Sequence, residues 1–242
     1  MNTSADIGFE FSFAFQPLVD IRKREVVSYK ALVRGPNGES SDSVLAQVPR
    51  HSFPTFDEIC CRKAISLASR LKIPTKLNLN LSEARFYAVD RNISATFLAA
   101  LQNKMPVENI IFEVTESENV IDQRNLLQCL QILRDFGFKT TIKGFGTGYS
   151  SLKLMMEYQP DYIKLDRDMI MNIHLDYVKQ SLYSGIARIC NRLSIEIVAE
   201  GIETLDEFRW LRDEGVRIFQ GYYFARPTFE ALPKVASHIF SM

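Results

Sequence analysis

Residues 140–151 read TTIKGFGTGYSS, and the fold class of the chain can be worked out from this stretch. The β-branched and apolar run that ends at Ile142 predicts a strand, and residues 150–158 predict a helix. Glycines occupy positions 144, 146 and 148 between them. Glycine permits positive φ and close approach of backbone to a ligand, and in parallel α/β folds the loop between strand and helix binds ligands. The stretch therefore predicts half of a βαβ unit, with Lys143 where the strand opens into a ligand loop.

The composition sets limits on the class of protein. The 242 residues carry 29 Lys+Arg and 29 Asp+Glu, so the formal net charge is zero. The charge therefore gives no reason to expect nucleic-acid binding. No apolar run is long enough to span a bilayer, and the first residues, MNTSADIGFEF, lack the pattern of a signal peptide. The four cysteines form no CxxC motif, which is typical of reduced thiols. The sequence therefore predicts a cytoplasmic protein without a membrane segment.

Alternating strand and helix patterns predict the fold. Eight strands are predicted, at residues 9–19, 26–34, 76–81, 110–115, 139–142, 162–165, 196–199 and 217–219. Helices are predicted at residues 43–48, 56–71, 95–102, 125–136, 150–158, 178–193, 205–214 and 232–240. The link between the first two strands is too short for a parallel crossover, so these strands must be antiparallel. The pattern predicts one α/β domain over residues 1–242, a modified TIM (β/α)₈ barrel with an antiparallel first strand.

Polar residues stand at successive strand ends, where barrel enzymes place their chemistry. They are Lys30, Arg34, Asn80, Glu113, Lys143, Lys164, Glu200 and Gln220. Glu113 and Lys164 lie inside otherwise apolar strands, where a charge needs a partner. Internal ion pairs that help to close the barrel are one interpretation of each residue. For the whole set, a site or its remnant is the better interpretation.

Eight ordered segments resemble the motifs of the EAL-domain family, the cyclic di-GMP phosphodiesterases. They are FQPLVD, KALVRG, NLS at Asn80, FEVTES, GFGTGYSS, DYIKLD, VAEGIET and FQGYYFARP, and they run from about residue 13 to residue 227. The resemblance implies a modified triosephosphate-isomerase barrel whose first strand is antiparallel. It also implies an active site in which two divalent metals activate water to cut one phosphodiester bond.

By the same resemblance, further positions match known site residues. Asn80, Glu113 and Glu200 fall on retained metal ligands, and Lys164 matches the lysine that assists the water. Glu203 matches a glutamate that lies next to the metal ligands without binding a metal, and Gln220 matches a residue near the metal centre. Gln16, Arg34 and Lys164 are the candidates for binding a ligand, with Arg34 at a phosphate-contacting position.

Three acidic ligands of the family are missing from this chain. The Glu of the Glu-Ala-Leu signature is Lys30, and the two aspartates of Asp-Asp-Phe-Gly are Lys143 and Gly144. The replacement changes the charge of these positions from −3 to +2, that is, by five units. Magnesium requires oxygen ligands, whereas an ammonium group offers only donors and repels a divalent cation. We therefore expect no metal, no cofactor, no catalytic residue and no phosphodiesterase activity. Lys30 and Lys143 are instead expected to pair with Glu113 and Glu200 in place of the metals.

Three functions remain open. Degenerate stand-alone members of the family bind protein partners, and in enteric bacteria a recurrent partner is the flagellar master transcription activator, whose DNA binding they block. The resemblance, with no sensor, cyclase or DNA-binding segment expected in the chain, implies a regulator of transcription, flagellar motility and virulence that acts by protein–protein interaction without touching nucleic acid or membrane. The alternatives are a metal-free cyclic di-GMP receptor, although nucleotide binding is not expected, and a weak phosphodiesterase. In active relatives the helix matching YSSLKLMMEYQP supports dimerisation.

Overall fold

The computed structural model of the protein describes residues 7–81, 89–115, 120–145 and 150–241. Parts of the predicted glycine-rich loop, with glycines 146 and 148, lie outside the described residues, as do residues 82–88 and 116–119.

Nine strands in the described part of the chain form one sheet. They are β1 (Ser12–Asp20), β2 (Glu25–Arg34), β3 (Lys76–Leu81), β4 (Ile110–Thr115), β5 (Lys139–Phe145), β6 (Tyr162–Leu165), β7 (Glu196–Glu200), β8 (Ile218–Gln220) and β9 (Thr228–Phe229). Strands β2 to β8 run parallel in chain order. β1 closes the barrel by pairing antiparallel with both β2 and β8. The eight-stranded barrel with an antiparallel first strand, predicted from the short turn after β1, is therefore confirmed.

The ninth strand follows from the shortness of β8. β8 reaches only the end of β1, where Val19 pairs with Phe219. The other half of that edge is covered by β9, with Ala14 opposite Phe229. An exposed strand edge is a template for unwanted pairing, and β9 covers it.

Helices surround the barrel. They are α1 (Ser41–Leu45), α2 (Phe53–Arg70), α3 (Val89–Gln102), α4 (Val120–Asp135), α5 (Ser150–Glu157), α6 (Arg167–Ile170), α7 (Tyr177–Leu193) and α8 (Leu205–Asp213). Asp176 caps α7, and Thr204 with Glu207 forms a capping box at the start of α8. No helix in the described part of the chain is long and apolar enough to cross a membrane.

The predicted helix at residues 232–240 is wrong. Only Ser237–Ser241 is helical, and it is a 3₁₀ helix. Proline lacks an N–H and disfavours a helical conformation in the residue before it. The carbonyl of Pro233 is used instead to accept a hydrogen bond from the Tyr29 hydroxyl, at 3.2 Å. Residues 232–236 therefore have no regular secondary structure, and Leu232 and Val235 pack against the core.

The barrel interior is divided into two layers. Leu18, Val198 and Ile218 form a small apolar cluster at the end where the parallel strands begin. Two residues further along the same strands the inward positions are polar, at Gln16, Glu200 and Gln220. Because side chains alternate along a strand with period two, both sets point into the barrel. The fold therefore gathers the polar strand ends at one mouth.

Candidate functional site

A cavity of about 520 Å³ opens at the mouth formed by the carboxyl ends of the parallel strands. Seven of the predicted site residues line it, namely Gln16, Lys30, Lys143, Gly144, Glu200, Glu203 and Gln220. Glu113 and Lys164 lie beneath it with no exposed side-chain surface. The sequence thus identified part of the lining of the mouth, and the structure shows which of these residues contact one another.

Lys30 lies between two carboxylates. Its Nζ is 2.9 Å from Glu200 Oε1, to which it donates a hydrogen bond, and 2.9 Å from Glu113 Oε2. The contact with Glu113 is a buried ion pair, and no other described group donates a hydrogen bond to Oε2. The ammonium group of Lys30 therefore bridges β4 and β7 from β2, as the sequence predicted.

Lys164 is the second cation of this cluster. Its Nζ contacts Glu113 Oε1, donates to Gln220 Oε1 at 2.8 Å, and lies 3.9 Å from Glu200 Oε2. Gln220 Nε2 in turn donates to Gln16 Oε1 at 2.8 Å, and Gln16 Nε2 donates to the carbonyl of Ala225 at 3.1 Å. The network crosses the barrel from β4 to β1 and links the side chains of Glu113, Lys164, Gln220 and Gln16.

The electrostatics favour the charged forms of Lys30, Glu113 and Glu200. Burial opposes charge on Glu113, but Lys164 and Lys30 more than offset it and hold the pKa of Glu113 well below its usual range. Glu200 is affected in the same way, and its pKa is lowered. Burial lowers the pKa of Lys30, yet the two carboxylates outweigh it and raise that pKa above the ordinary value. Burial lowers the pKa of Lys164, and Glu113 offsets this effect only in part.

Lys143 does not take the role that the sequence suggested. Among the described residues it forms no ion pair with Glu113 or Glu200, and Lys164 fills that role instead. The strand register explains the difference: Lys143 lies opposite Thr115, two residues beyond Glu113. Two residues along a strand amount to about 6.6 Å, so Lys143 sits above the carboxylates. Burial and then the charge of Lys30 lower the pKa of Lys143.

Replacing Lys143 by methionine is expected to change the free energy of unfolding by no more than about 1 kcal/mol, because no ion pair is lost. The lowered pKa of Lys143 means that its charge costs stability at neutral pH. That cost disappears as the pH rises from the folded-state pKa of Lys143 through the ordinary lysine value of about 10.4. The free energy of unfolding of Lys143→Met should therefore compare best with that of the wild type below the folded-state pKa. Urea denaturation of both proteins between neutral and alkaline pH measures this. A large loss of stability in Lys143→Met would show that Lys143 is paired after all.

Asn78 is a site residue that the sequence analysis missed. It is buried, and its Nδ2 donates to Glu113 Oε1 at 2.8 Å. The predicted residue Asn80 lies opposite Glu113 in the strand register but is exposed. The alternation in KLNLNL places both asparagines on one face, so the pattern contained the signal for Asn78.

Two predicted residues lie at the rim or outside the mouth. Arg34 is held at the end of β2, where its Nη1 donates to the Val33 carbonyl at 2.8 Å and to Ser41 Oγ at 2.7 Å. These partners keep Arg34 away from the cavity, and its contact with a phosphate stays a prediction. Glu203 lies at the rim, 3.6 Å from Arg167 Nη2.

Arg167 and Glu207 form a rim contact that the sequence analysis did not single out. Arg167 Nη1 donates to Glu207 Oε1 at 2.7 Å, and Glu207 is fully buried. Glu207 also accepts hydrogen bonds from the backbone N–H groups of Asn172, Glu203 and Thr204. The capping-box spacing from Thr204 to Glu207 was the available sequence signal. The contact fixes the loops after β6 and β7 at the mouth.

The residues present do not fit a pair of divalent metals. A metal between Glu113 and Glu200 would have to share the space of the Lys30 ammonium, which lies 2.9 Å from an oxygen of each. Divalent metals of this kind require several oxygen ligands, and an ammonium supplies none. Among the described residues no group of three or more His, Cys, Asp or Glu side chains is placed to hold a metal ion.

The fold and the mouth define an α/β barrel with an antiparallel first strand and a polar site at its strand ends. The profile of the EAL domain matches residues 5–227, and the chain belongs to the EAL domain family.

Among solved structures, a stand-alone versatile EAL protein from Vibrio cholerae O395, in its c-di-GMP bound form, is 42% identical with a TM-score of 0.92. That match covers 97% of this chain and 98% of the other. Klebsiella pneumoniae BlrP1 with FMN and cyclic diGMP and no metal ions is 29% identical with a TM-score of 0.81, over 95% of this chain and 56% of BlrP1.

Several curated relatives come from Escherichia coli K12, among them a regulator and a probable enzyme. The blue light- and temperature-regulated antirepressor BluF is 29% identical over 93% of this chain and 56% of BluF. The probable cyclic di-GMP phosphodiesterase PdeN is 28% identical over 90% of this chain and 43% of PdeN. The chain therefore spans about half the length of these relatives, which include both a regulator and a probable enzyme.

Proposed function

We propose that this chain is a catalytically inactive EAL-like regulatory protein that acts by protein–protein interaction. One observation carries the proposal: Lys30 Nζ lies 2.9 Å from both Glu113 Oε2 and Glu200 Oε1. The two carboxylates that resemble retained metal ligands already have a cation between them.

The loss of acidic ligands removes the means of catalysis. A two-metal site cuts a phosphodiester by generating a nucleophile from water and by stabilising the leaving oxygen. The ammonium groups of Lys30 and Lys164 neutralise the carboxylates. An ammonium group cannot coordinate a water molecule and activate it as a metal ion does. The cluster of lysines and glutamates instead stabilises the barrel. The proposed vestigial site is larger and comprises Lys30, Asn80, Glu113, Lys143, Gly144, Lys164, Glu200, Glu203 and Gln220.

The proposed partner is the flagellar master transcription activator, whose DNA binding the chain would block. The support is the resemblance to degenerate family members that act in this way, together with the relative BluF, an antirepressor. The acting unit is a single EAL-like domain spanning residues 1–242, and its place is the cytoplasm, because the proposed partner binds DNA there. Lower motility and altered virulence regulation follow from that block.

Overproduction in an enteric host tests the proposal. Swimming is expected to fall while cellular cyclic di-GMP stays unchanged, and the purified chain is expected to reduce binding of the purified activator to its promoter in a gel-shift assay. Unchanged swimming, or a change in swimming that follows the nucleotide pool, would contradict the proposed partner.

A metal-free cyclic di-GMP receptor is the second candidate. BlrP1 has been solved with cyclic diGMP and no metal ions, and the mouth cavity of about 520 Å³ carries Lys143 without an ion pair to its described neighbours. Isothermal titration with cyclic di-GMP, with and without magnesium, separates the two functions. Absence of binding heat supports the protein partner, whereas binding without turnover supports the receptor.

A further inference from the structure

The outer face of α7 carries an exposed apolar stripe. Val178, Leu182 and Ile189 are 61%, 57% and 40% exposed, and Gly185 lies between the last two. The spacing of four, three and four residues places these positions on one side of the helix. Leu175, Tyr177 and Leu193 are also exposed and extend the apolar surface at its ends. Contiguous exposed apolar side chains of this kind mark interaction surfaces more often than isolated ones do.

The stripe has a basic border. Helix α7 contains Lys179, Arg188 and Arg192 and no Asp or Glu. Lys179 donates to the backbone carbonyls of Asp168 and Met171, at 2.6 and 2.8 Å. Arg188 and Arg192 are exposed and form no ion pair with any other residue that the structure describes. Their charge is therefore available to a partner.

Gly185 makes the centre of the stripe shallow. A Cβ atom added at Gly185 would meet no atom within 4 Å, so this position faces open space. The missing side chain between Leu182 and Ile189 allows the backbone or a large apolar side chain of a partner helix to come close. It also means that a larger residue at position 185 would change this surface without disturbing the fold.

We propose that this face of α7 is the docking site for an acidic amphipathic helix of the partner protein. The proposal rests on the proposed function, because it names the surface through which a protein partner binds. Residues 178–189 span about 16 Å, or three helical turns, which suits a partner helix laid along this face with apolar anchors three and four residues apart. Glutamates beside those anchors would meet Arg188 and Arg192. A second copy of this face would bring only further basic charge from its own α7.

The direct test uses a synthetic fluorescein-labelled helix with leucines at every third and fourth position and glutamates beside them. Fluorescence anisotropy is expected to show that the wild type binds it, more weakly as salt rises, and prefers it to the same peptide with lysines for the glutamates. Leu182→Glu and Gly185→Leu should each weaken binding at least about tenfold. The double variant Arg188→Glu/Arg192→Glu should weaken it and remove most of the salt dependence. Leu98→Glu, on the exposed face of α3, is the matched control and should bind like the wild type.

Three results would overturn the docking site. The first is absence of binding to the acidic helix, and the second is equal binding of the lysine peptide. The third is a wild-type dimer in analytical ultracentrifugation that Leu182→Glu converts to monomer, which would assign the face to a second copy. Binding of the purified flagellar activator distinguishes a wrong docking site from a wrong partner. If it binds wild type and Leu182→Glu equally, the docking site is wrong and the proposed function stands. If only the acidic helix binds, the named partner is wrong and the docking site stands.

Discussion

Cyclic di-GMP hydrolysis is expected to be undetectable in the wild type with magnesium or manganese and to appear in the triple variant Lys30→Glu/Lys143→Asp/Gly144→Asp. The variant replaces two ammonium groups and a glycine by three carboxylates, the ligand type that divalent metals prefer. We expect a rise in turnover of at least about 10³-fold, because even an imperfectly assembled site recovers several kcal/mol of transition-state stabilisation. Chromatography of the linear product measures it.

The single variant Lys30→Glu is the control and should stay inactive, because both aspartates would still be missing. Gly144 has a φ of 73°, a conformation that aspartate tolerates better than most residues, so the triple variant should fold at some cost in stability. Circular dichroism checks this. Wild-type turnover comparable to that of an ordinary phosphodiesterase would contradict the argument from the lost ligands.

The second large effect is expected in stability. Lys164→Met should lower the free energy of unfolding, with roughly 3–5 kcal/mol as the upper limit, because the buried Glu113 loses one of its two cations and keeps Lys30. Adding Glu113→Gln to that variant should recover part of the loss, since a neutral amide needs no counter-charge. Urea denaturation of the single and double variants measures the loss of free energy of unfolding and its partial recovery. If Lys164→Met costs no more than Lys143→Met, the assignment of the paired lysine is wrong.

The pH dependence of stability follows from the same cluster. The pKa of Glu113 is lowered in the folded state, so its ionisation contributes stability that is fully present above the ordinary glutamate value of about 4.3. This contribution is lost progressively as the pH falls below that value towards the folded-state pKa. The wild type should therefore lose stability in acid more steeply than Glu113→Gln.

The sequence allowed the architecture to be predicted because its signals are local. A turn of a few residues after β1 forces an antiparallel hairpin, and single helices between the later strands force parallel ones. Glu113 and Lys164 could be expected to have partners because each interrupts an apolar strand. Both inferences need only the order of residues along the chain.

The contacts inside the mouth could not be predicted, because they depend on strand register. Lys143 lies in β5, which pairs with β4, but its level opposite Thr115 is fixed by hydrogen bonding between strands. Asn78 donates to Glu113 although Asn80 is the residue opposite Glu113 in the register, so the sequence pattern alone could not choose between them. The conformation of the chain at Pro233 depends likewise on a distant hydroxyl, that of Tyr29.

Thermal unfolding with magnesium, with manganese and with chelator tests most directly whether lysine ammonium groups occupy the place of the metals. A ligand that binds only the folded state raises its melting temperature, and the free energy it adds grows with the logarithm of the ligand concentration relative to Kd. With Lys30 already between Glu113 and Glu200, the wild-type melting temperature is expected to be the same in all three conditions, and that of the triple variant to rise with metal. A rise of several degrees in the wild type on adding magnesium would contradict the account.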